Sequence, residues 1–311
     1  MNRDGTDSRI EVRDLGLMIG MILLVPIAWL LPSAVWAQFS RIVSALFGPV
    51  RRLTTGITFT RISSVAQNKG KQNEAKHIEN RVFANRIQQE LQYLREYRPG
   101  GWQPAMRIVG REYVDDAMKS GKGCILWVAP LFFSSLVVKK ALHKSGFSTT
   151  FLSRSLHGPS NSVFGRRYIN VIKTRCEERF LFERLAMQPG AEVAAMRTLR
   201  KRTLEGQAVA IAWAAYGSRL LDAPILGGIF PVASGAPGLA VATGAPLLPV
   251  YTTYDDSNAF EIVIGPPMQV PEHTIRHEAV AHIVSEYASL LESVVINDPA
   301  ALTIWRYMKA S

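Results

Sequence analysis

The chain has 311 residues, enough to bury a sizeable core, so one large domain with an appendage is the default organisation. It is 48% hydrophobic, with a mean hydropathy of +0.07, a formal net charge of +11 and a pI near 9.8, which points to anionic partners. Only two cysteines are present, Cys124 and Cys176. This excludes a disulfide framework and fits a reducing compartment.

Residues 1–14 form a polar N-terminus. Leu15 to Ser40 carries no charged residue and predicts a membrane anchor over 15–40. Trp29 and Trp36 suit an interface, while Pro26 and Pro32 leave a kinked spanning helix and a shallow in-plane hairpin both open. No Asp or Glu occurs from Leu15 to Asn73, where Arg41, Arg51, Arg52, Arg61, Lys69 and Lys71 would face anionic headgroups. A basic, helical connector follows over 41–105. Within it Glu74 to Tyr97 has an apolar stripe at Val82, Ile87, Leu91 and Leu94, and ends at Pro99-Gly-Gly.

Residues 106–311 read as an α/β domain. Met106–Gly110 predicts a strand and Arg111–Ser120 a helix. Gly123–Val128 predicts a buried strand, broken by Pro130, and Leu136–Leu142 a helix that ends at Gly146. Thr149–Leu152 is the next strand, and a polar segment turning helical near Ser162 follows it. Ala191–Glu205 is a helix capped by Gly206, and Ala208–Trp213 a buried strand. Leu220–Ala233 reads as a Gly/Pro-rich loop and Gly235–Thr243 as a small-residue helix. Leu247–Thr253 and Phe260–Ile264 read as strands joined by the turn Asp255–Asn258. His273–Ile296 and Asp298–Lys309 read as helices. The alternation predicts a mixed central sheet covered by helices on both faces.

The order of motifs resembles the late acyltransferases of bacterial lipid A biosynthesis, within the lysophospholipid-acyltransferase superfamily. The likeness rests on the apolar N-terminus, Gly121-Lys-Gly123, Pro224-Ile-Leu-Gly227, Gly235, Leu239-Ala240, Gly244-Ala-Pro246, Pro249, Gly265-Pro-Pro267, Asp298-Pro299 and Ile304-Trp-Arg-Tyr307. It implies a glycerolipid acyltransferase-like fold at the cytoplasmic face of the bacterial inner membrane. It also implies transfer of an acyl chain from acyl carrier protein or acyl-CoA to a lipid hydroxyl, with no metal or other cofactor.

That family's signature is a His followed by an Asp or Glu: the His takes the acceptor's proton and the carboxylate orients the imidazole. By position the pair falls on Pro130 and Ser135 here, and a second acidic motif on Ala214-Ala215. His157 is the candidate replacement base, with Asp222 as a distant partner, while His143 reads as solvated. Arg154 and Arg167 are the implied phosphate contacts, with Arg219 and Gly227 as further substrate-binding positions. Lys139, Lys140 and Lys173 read as helix-surface charge. The expected partners are an anionic membrane lipid or phosphorylated glycolipid, an acyl carrier protein and a partner enzyme. Nucleic acid is set aside because no recognisable motif accompanies the charge. Two readings follow: an acyltransferase with an unusual base, or an inactive homologue that binds lipid or carrier on behalf of another enzyme.

Overall fold

The computed structural model describes residues 9–47, 58, 60–65, 72–154, 158–188, 190–254, 259–271 and 274–310. His157, the turn Asp255–Asn258 and several of the connector's basic residues (Arg51, Arg52, Lys69 and Lys71) lie outside them.

The N-terminal layer contains the helices α1 (Val12–Leu30), α2 (Trp36–Leu46) and α3 (Gln72–Arg95). Leu31 is extended before Pro32, as the proline ring demands, and this separates α1 from α2. Helix α1 is long and apolar enough to cross a bilayer, yet it is fastened to the body at both ends. At its start, buried Asp14 accepts from the hydroxyls of Ser160 and Ser162, each at 2.5 Å. At its end, Arg95 donates to the carbonyls of Ala28, Trp29 and Leu31, the acceptors that a helix C-terminus leaves unpaired. Trp29 Nε1 adds a bond to Leu94 O at 3.1 Å. The outward face of α1 remains apolar and exposed at Leu15, Ile19, Ile22, Leu23 and Leu30.

The body is α/β, a mixed central sheet flanked by helices. Its elements in order are β1 (Met106–Val109), α4 (Arg111–Lys119), β2 (Cys124–Val128), α5 (Ser134–Lys144), β3 (Thr149–Arg154), α6 (Asn170–Glu178), β4 (Glu183–Met187) and α7 (Glu192–Leu204). Then come β5 (Ala208–Ala212), β6 (Leu220–Ile225), β7 (Gly228–Ala233), α8 (Gly235–Thr243), β8 (Leu247–Tyr254), β9 (Phe260–Ile264), α9 (Arg276–Val295) and β10 (Lys309–Ala310). The main sheet runs β1-β9-β8-β2-β5-β3-β4. Strands β8, β2, β5, β3 and β4 are parallel; β9 is antiparallel to β8 and parallel to β1. Every residue of the central strand β2 is buried, which explains its continuous apolar run. Gly123 enters it at φ 64°, where a Cβ would meet Gln207 O at 2.5 Å, so only glycine fits. The Trp127 ring packs on Tyr287 of α9 at 4.5 Å, and the Tyr287 hydroxyl donates to Trp127 O at 2.7 Å.

Two expectations are corrected and one strand is added. Leu220–Ala233 is not a loop but the hairpin β6–β7, turned through Leu226 and Gly227 at φ 51° and 76°. Its prolines are tolerated because Pro224 lies on an edge strand and Pro231 lies beyond the two residues paired with β10. Strand β4 is an addition at the sheet edge, partly exposed along its length and without the burial alternation that would mark a strand in sequence. Asp298–Lys309 is not a helix: two short 3₁₀ turns, Pro299–Ala301 and Trp305–Tyr307, lead into β10. Trp305 Nε1 holds the first turn through Pro299 O at 3.0 Å.

Candidate functional site: a basic cavity over the central strands

A cavity of about 1110 Å³ opens at the C-terminal ends of β2, β3 and β5, the usual ligand position in a parallel sheet. Its floor is the turn from β2 into α5. Ala129 N bonds to Val250 O at 2.7 Å and Phe132 N to Ala301 O at 2.8 Å. The Pro130 carbonyl accepts from both the backbone N–H and the hydroxyl of Thr303, at 2.9 and 2.7 Å. Phe133 then takes a left-handed conformation, φ 71°, unusual for a bulky residue. Such a conformation costs about 1–3 kcal/mol. Its ring is fully buried, edge-on to Tyr254 at 4.9 Å and Phe260 at 5.9 Å. Deleting a buried Phe ring costs about 3–5 kcal/mol, so packing outweighs the strain.

The strained turn puts Ser134 and Ser135 on the first turn of α5, where backbone N–H groups lack intrahelical partners. Ser134 Oγ is buried, lines the cavity and has no hydrogen-bond partner among the described residues. Ser135 Oγ donates to Glu177 Oε1 at 2.8 Å. The same oxygen accepts from the Tyr93 hydroxyl at 2.5 Å, while Lys139 Nζ donates to Glu177 Oε2 at 2.6 Å and to Ser135 Oγ at 3.1 Å. Burial, and next the Glu177 charge, push the Tyr93 phenol well above its ordinary pKa, so it stays a donor. The stretch from Asp116 to Glu177 is free of acids between its ends, yet Glu177 itself brings a carboxylate beside Ser135.

The lysines are the next correction. Lys139 and Lys140 are buried, not surface charge. Lys140 pairs with Glu96 and with the Trp102 carbonyl, and Lys173 with Glu90 at 2.5 Å. Two adjacent lysines on a helix read as a solvent face, and only the acids arriving from α6 and from the end of α3 reverse that reading. Burial, the leading cause, lowers the Lys140 pKa from its ordinary value; Glu96 opposes it.

Of the arginines singled out in the sequence, Arg154 and Arg219 line the cavity. The Arg154 guanidinium lies 4.0 Å over the Tyr216 ring. Arg167 is exposed, stands over Tyr168 and is not among the lining residues. Gly227 sits at the β6–β7 turn, also outside the lining. Ala214 and Ala215 line it without charge, and Asp222 on β6 and His143 on α5 do not reach it. His277, on the first turn of α9, is the one histidine among the described lining residues, and no local motif pointed to it. The fold also recruits cations distant in sequence. The described lining holds eleven Lys and Arg side chains and three Glu, of which Glu90 and Glu177 are already paired with lysines. No group of three or more His, Cys, Asp or Glu suited to a metal occurs among the described residues.

The site can therefore hold a molecule with apolar and strongly anionic parts. Its floor offers hydroxyls and helix N–H groups, and Pro130 brings no side-chain base to it. No protein-family model matches the chain, and no curated protein matches it.

Proposed function

We propose that the chain is a membrane-associated, acyltransferase-like protein of bacterial glycolipid biosynthesis. In this reading it takes a phosphorylated, lipid A-type amphiphile into the cavity, at the cytoplasmic face of the inner membrane. The observation that carries it is the composition of the cavity wall. Apolar side chains such as Leu17, Phe132 and Val193 share one cavity with nine arginines. Arginine grips phosphate in a planar, bidentate manner, and an apolar wall suits acyl chains. Helix α1 contributes Leu17 to that wall and an exposed apolar face on its other side, so a lipid would pass from bilayer to cavity along one element. The acyl donor of this reading is acyl carrier protein, an acidic partner for a basic surface, or acyl-CoA.

A second reading is favoured by the Ser135 cluster: an inactive homologue that binds lipid or carrier in support of a partner enzyme. Lys139 and Glu177 neutralise each other where a general base is needed, and Pro130 has no side-chain base. Losing a general base costs roughly 10²–10⁴-fold in rate. The test is acyl transfer by the detergent-solubilised full chain, with acyl carrier protein and acyl-CoA as donors and phosphorylated glycolipid as acceptor. Turnover lost in Arg154→Ala/Arg219→Ala supports the enzyme. Absent turnover with lipid binding that depends on the same arginines supports the binding protein. Lipid binding indifferent to both arginines removes both readings.

A further inference from the structure

Three arginines converge on the cavity from parts of the chain that are far apart: Arg13 on α1, Arg86 on α3, and Arg306 in the turn Trp305–Tyr307. A run of surface charge would not bring positions 13, 86 and 306 together; only the tertiary fold does. None of the three makes a hydrogen bond or ion pair among the described residues, although all line the same cavity. The carboxylates beside them are engaged elsewhere. Glu90, one helical turn from Arg86, is held by Lys173 at 2.5 Å, and Asp14 is turned onto Ser160 and Ser162.

Arg86, like Arg13 and Arg306, is exposed, and it faces the open cavity. Desolvation by the cavity walls lowers its pKa from the ordinary guanidinium value, and the Arg306 and Arg13 charges lower it further against the pull of Glu90. Like charges gathered in this way repel one another, and an anion bound among them would reverse the sign of the interaction. The Arg306 guanidinium lies 5.2 Å over Tyr307, whose ring is edge-on to Tyr216 at 5.4 Å, which in turn carries Arg154. A pair of contacting tyrosines thus joins this arginine group to the one described above.

We propose that Arg13, Arg86 and Arg306 form a second anion site in the cavity, for a phosphate group, that ties the N-terminal helix to the body when occupied. It rests on the reading of the cavity as a site for a phosphorylated amphiphile. It adds where one phosphate sits, and that α1 supplies a ligand to it as well as an apolar face.

The experiment uses the full chain in neutral detergent at low salt. The probes are phosphatidic acid, inorganic pyrophosphate, and phosphatidylcholine as the control. The variants are Arg86→Gln, Arg306→Gln and, as a comparator from the other arginine group, Arg154→Gln. Phosphatidic acid should bind about tenfold more weakly to Arg86→Gln and to Arg306→Gln, the loss expected for one charge-assisted contact. The unliganded melting temperature of both variants should stay level or rise, because a repelling cation has been removed. A matching loss of pyrophosphate binding supports a site for phosphate from any source, and loss confined to phosphatidic acid a lipid-headgroup site. Binding that weakens only in Arg154→Gln overturns this second site and leaves the lipid reading standing. Phosphatidic acid binding unchanged in all three variants overturns both. A lowered melting temperature with unchanged binding assigns Arg86 or Arg306 a structural role and also overturns the site.

Discussion

Ser135 Oγ and Glu177 Oε1 stand 2.8 Å apart, joined by a hydrogen bond that crosses from α5 to α6 over 42 residues of sequence. The family resemblance expects a carboxylate where Ser135 stands, and Glu177 brings one there from another helix. It arrives already bound to Lys139 and Tyr93. The cluster therefore places a carboxylate at the site that is not a free base.

This makes the ion pair a sensitive point for stability. The Lys139 and Glu177 side chains are 9% and 3% exposed. Breaking a buried pair from one side leaves an uncompensated charge and costs about 3–5 kcal/mol. Glu177→Gln and Lys139→Met should each lower the free energy of unfolding by about that amount. The double variant Lys139→Met/Glu177→Leu should cost less than the two single changes together. Denaturant melts of the four proteins check this, and a Glu177→Gln cost below about 1 kcal/mol would show that the pair is solvated.

The same geometry says what a His and a carboxylate introduced at Pro130 and Ser135 would meet. Ser135→Glu would place a second carboxylate beside Glu177 in a buried setting. It should destabilise the fold by about 2 kcal/mol or more and titrate well above an ordinary Glu. Pro130→His keeps the Thr303 contacts, because those use the Pro130 carbonyl. Pro130 is buried, so the imidazole needs a partner on the cavity side, and the single variant should lose about 1–3 kcal/mol of stability. Acyl transfer assays on Pro130→His alone, beside the double change, separate an intact substrate site from a collapsed one.

Membrane attachment is predicted to depend on the outer face of α1 rather than on its mere presence. Ile22 and Leu23 are 62% and 67% exposed, and Ile19 lies on the same helix at 48%. Changing all three to Gln removes roughly 3 kcal/mol or more of apolar transfer, about a hundredfold in vesicle partition. The far-UV spectrum and melting temperature should be little changed. Deleting residues 1–40 is a poorer test. It takes away Asp14, Trp29 and the carbonyls that satisfy Arg95, and uncovers the buried side of α3. Aggregation, rather than clean release, is expected from that deletion.

Alkaline stability follows from buried thiols and phenols. Burial pushes Cys124 and Cys176 from 9.0 up to about 12, and Tyr254 from 10.0 up to about 12. Between those values the unfolded chain releases protons that the folded chain retains, so stability falls as pH rises. It should be insensitive to these groups below pH 9 and decline from about pH 9 to about 12. The decline is up to roughly 1.4 kcal/mol per pH unit for each group. Cys124→Ala should shallow the early part of that decline. Unfolding free energies measured from pH 8 to 11 give the slope directly, and a flat profile would contradict the burial of both thiols.

Much of the body was legible because its signals are local. Cys124–Val128 is a continuous apolar run and folds as a central strand; Gly235–Thr243 and Phe260–Ile264 were bounded correctly by composition and turn residues. The β6–β7 hairpin was not, since Leu226 at positive φ and two prolines argue for a loop and only edge placement excuses them. Arg154 and Arg219 were legible as candidate anion contacts, and both reach the cavity. Arg13, Arg86, Arg306 and His277 carry no local mark, because each gains its meaning only from residues far away in the sequence.

By itself, the sequence determined a basic α/β chain with an apolar N-terminal segment and no histidine or acid at Pro130 and Ser135, since charge, hydrophobic period and residue identity are written locally. The tertiary structure decided which charges are neutralised and which are left free. Lys139, Lys140 and Lys173 vanish into ion pairs with Glu177, Glu96 and Glu90, while Arg13, Arg86 and Arg306 line one cavity with no ion pair among the described residues. The physical reason is that a side chain's charge is a property of the residue, but its partner and its solvation are properties of the space that the fold puts around it.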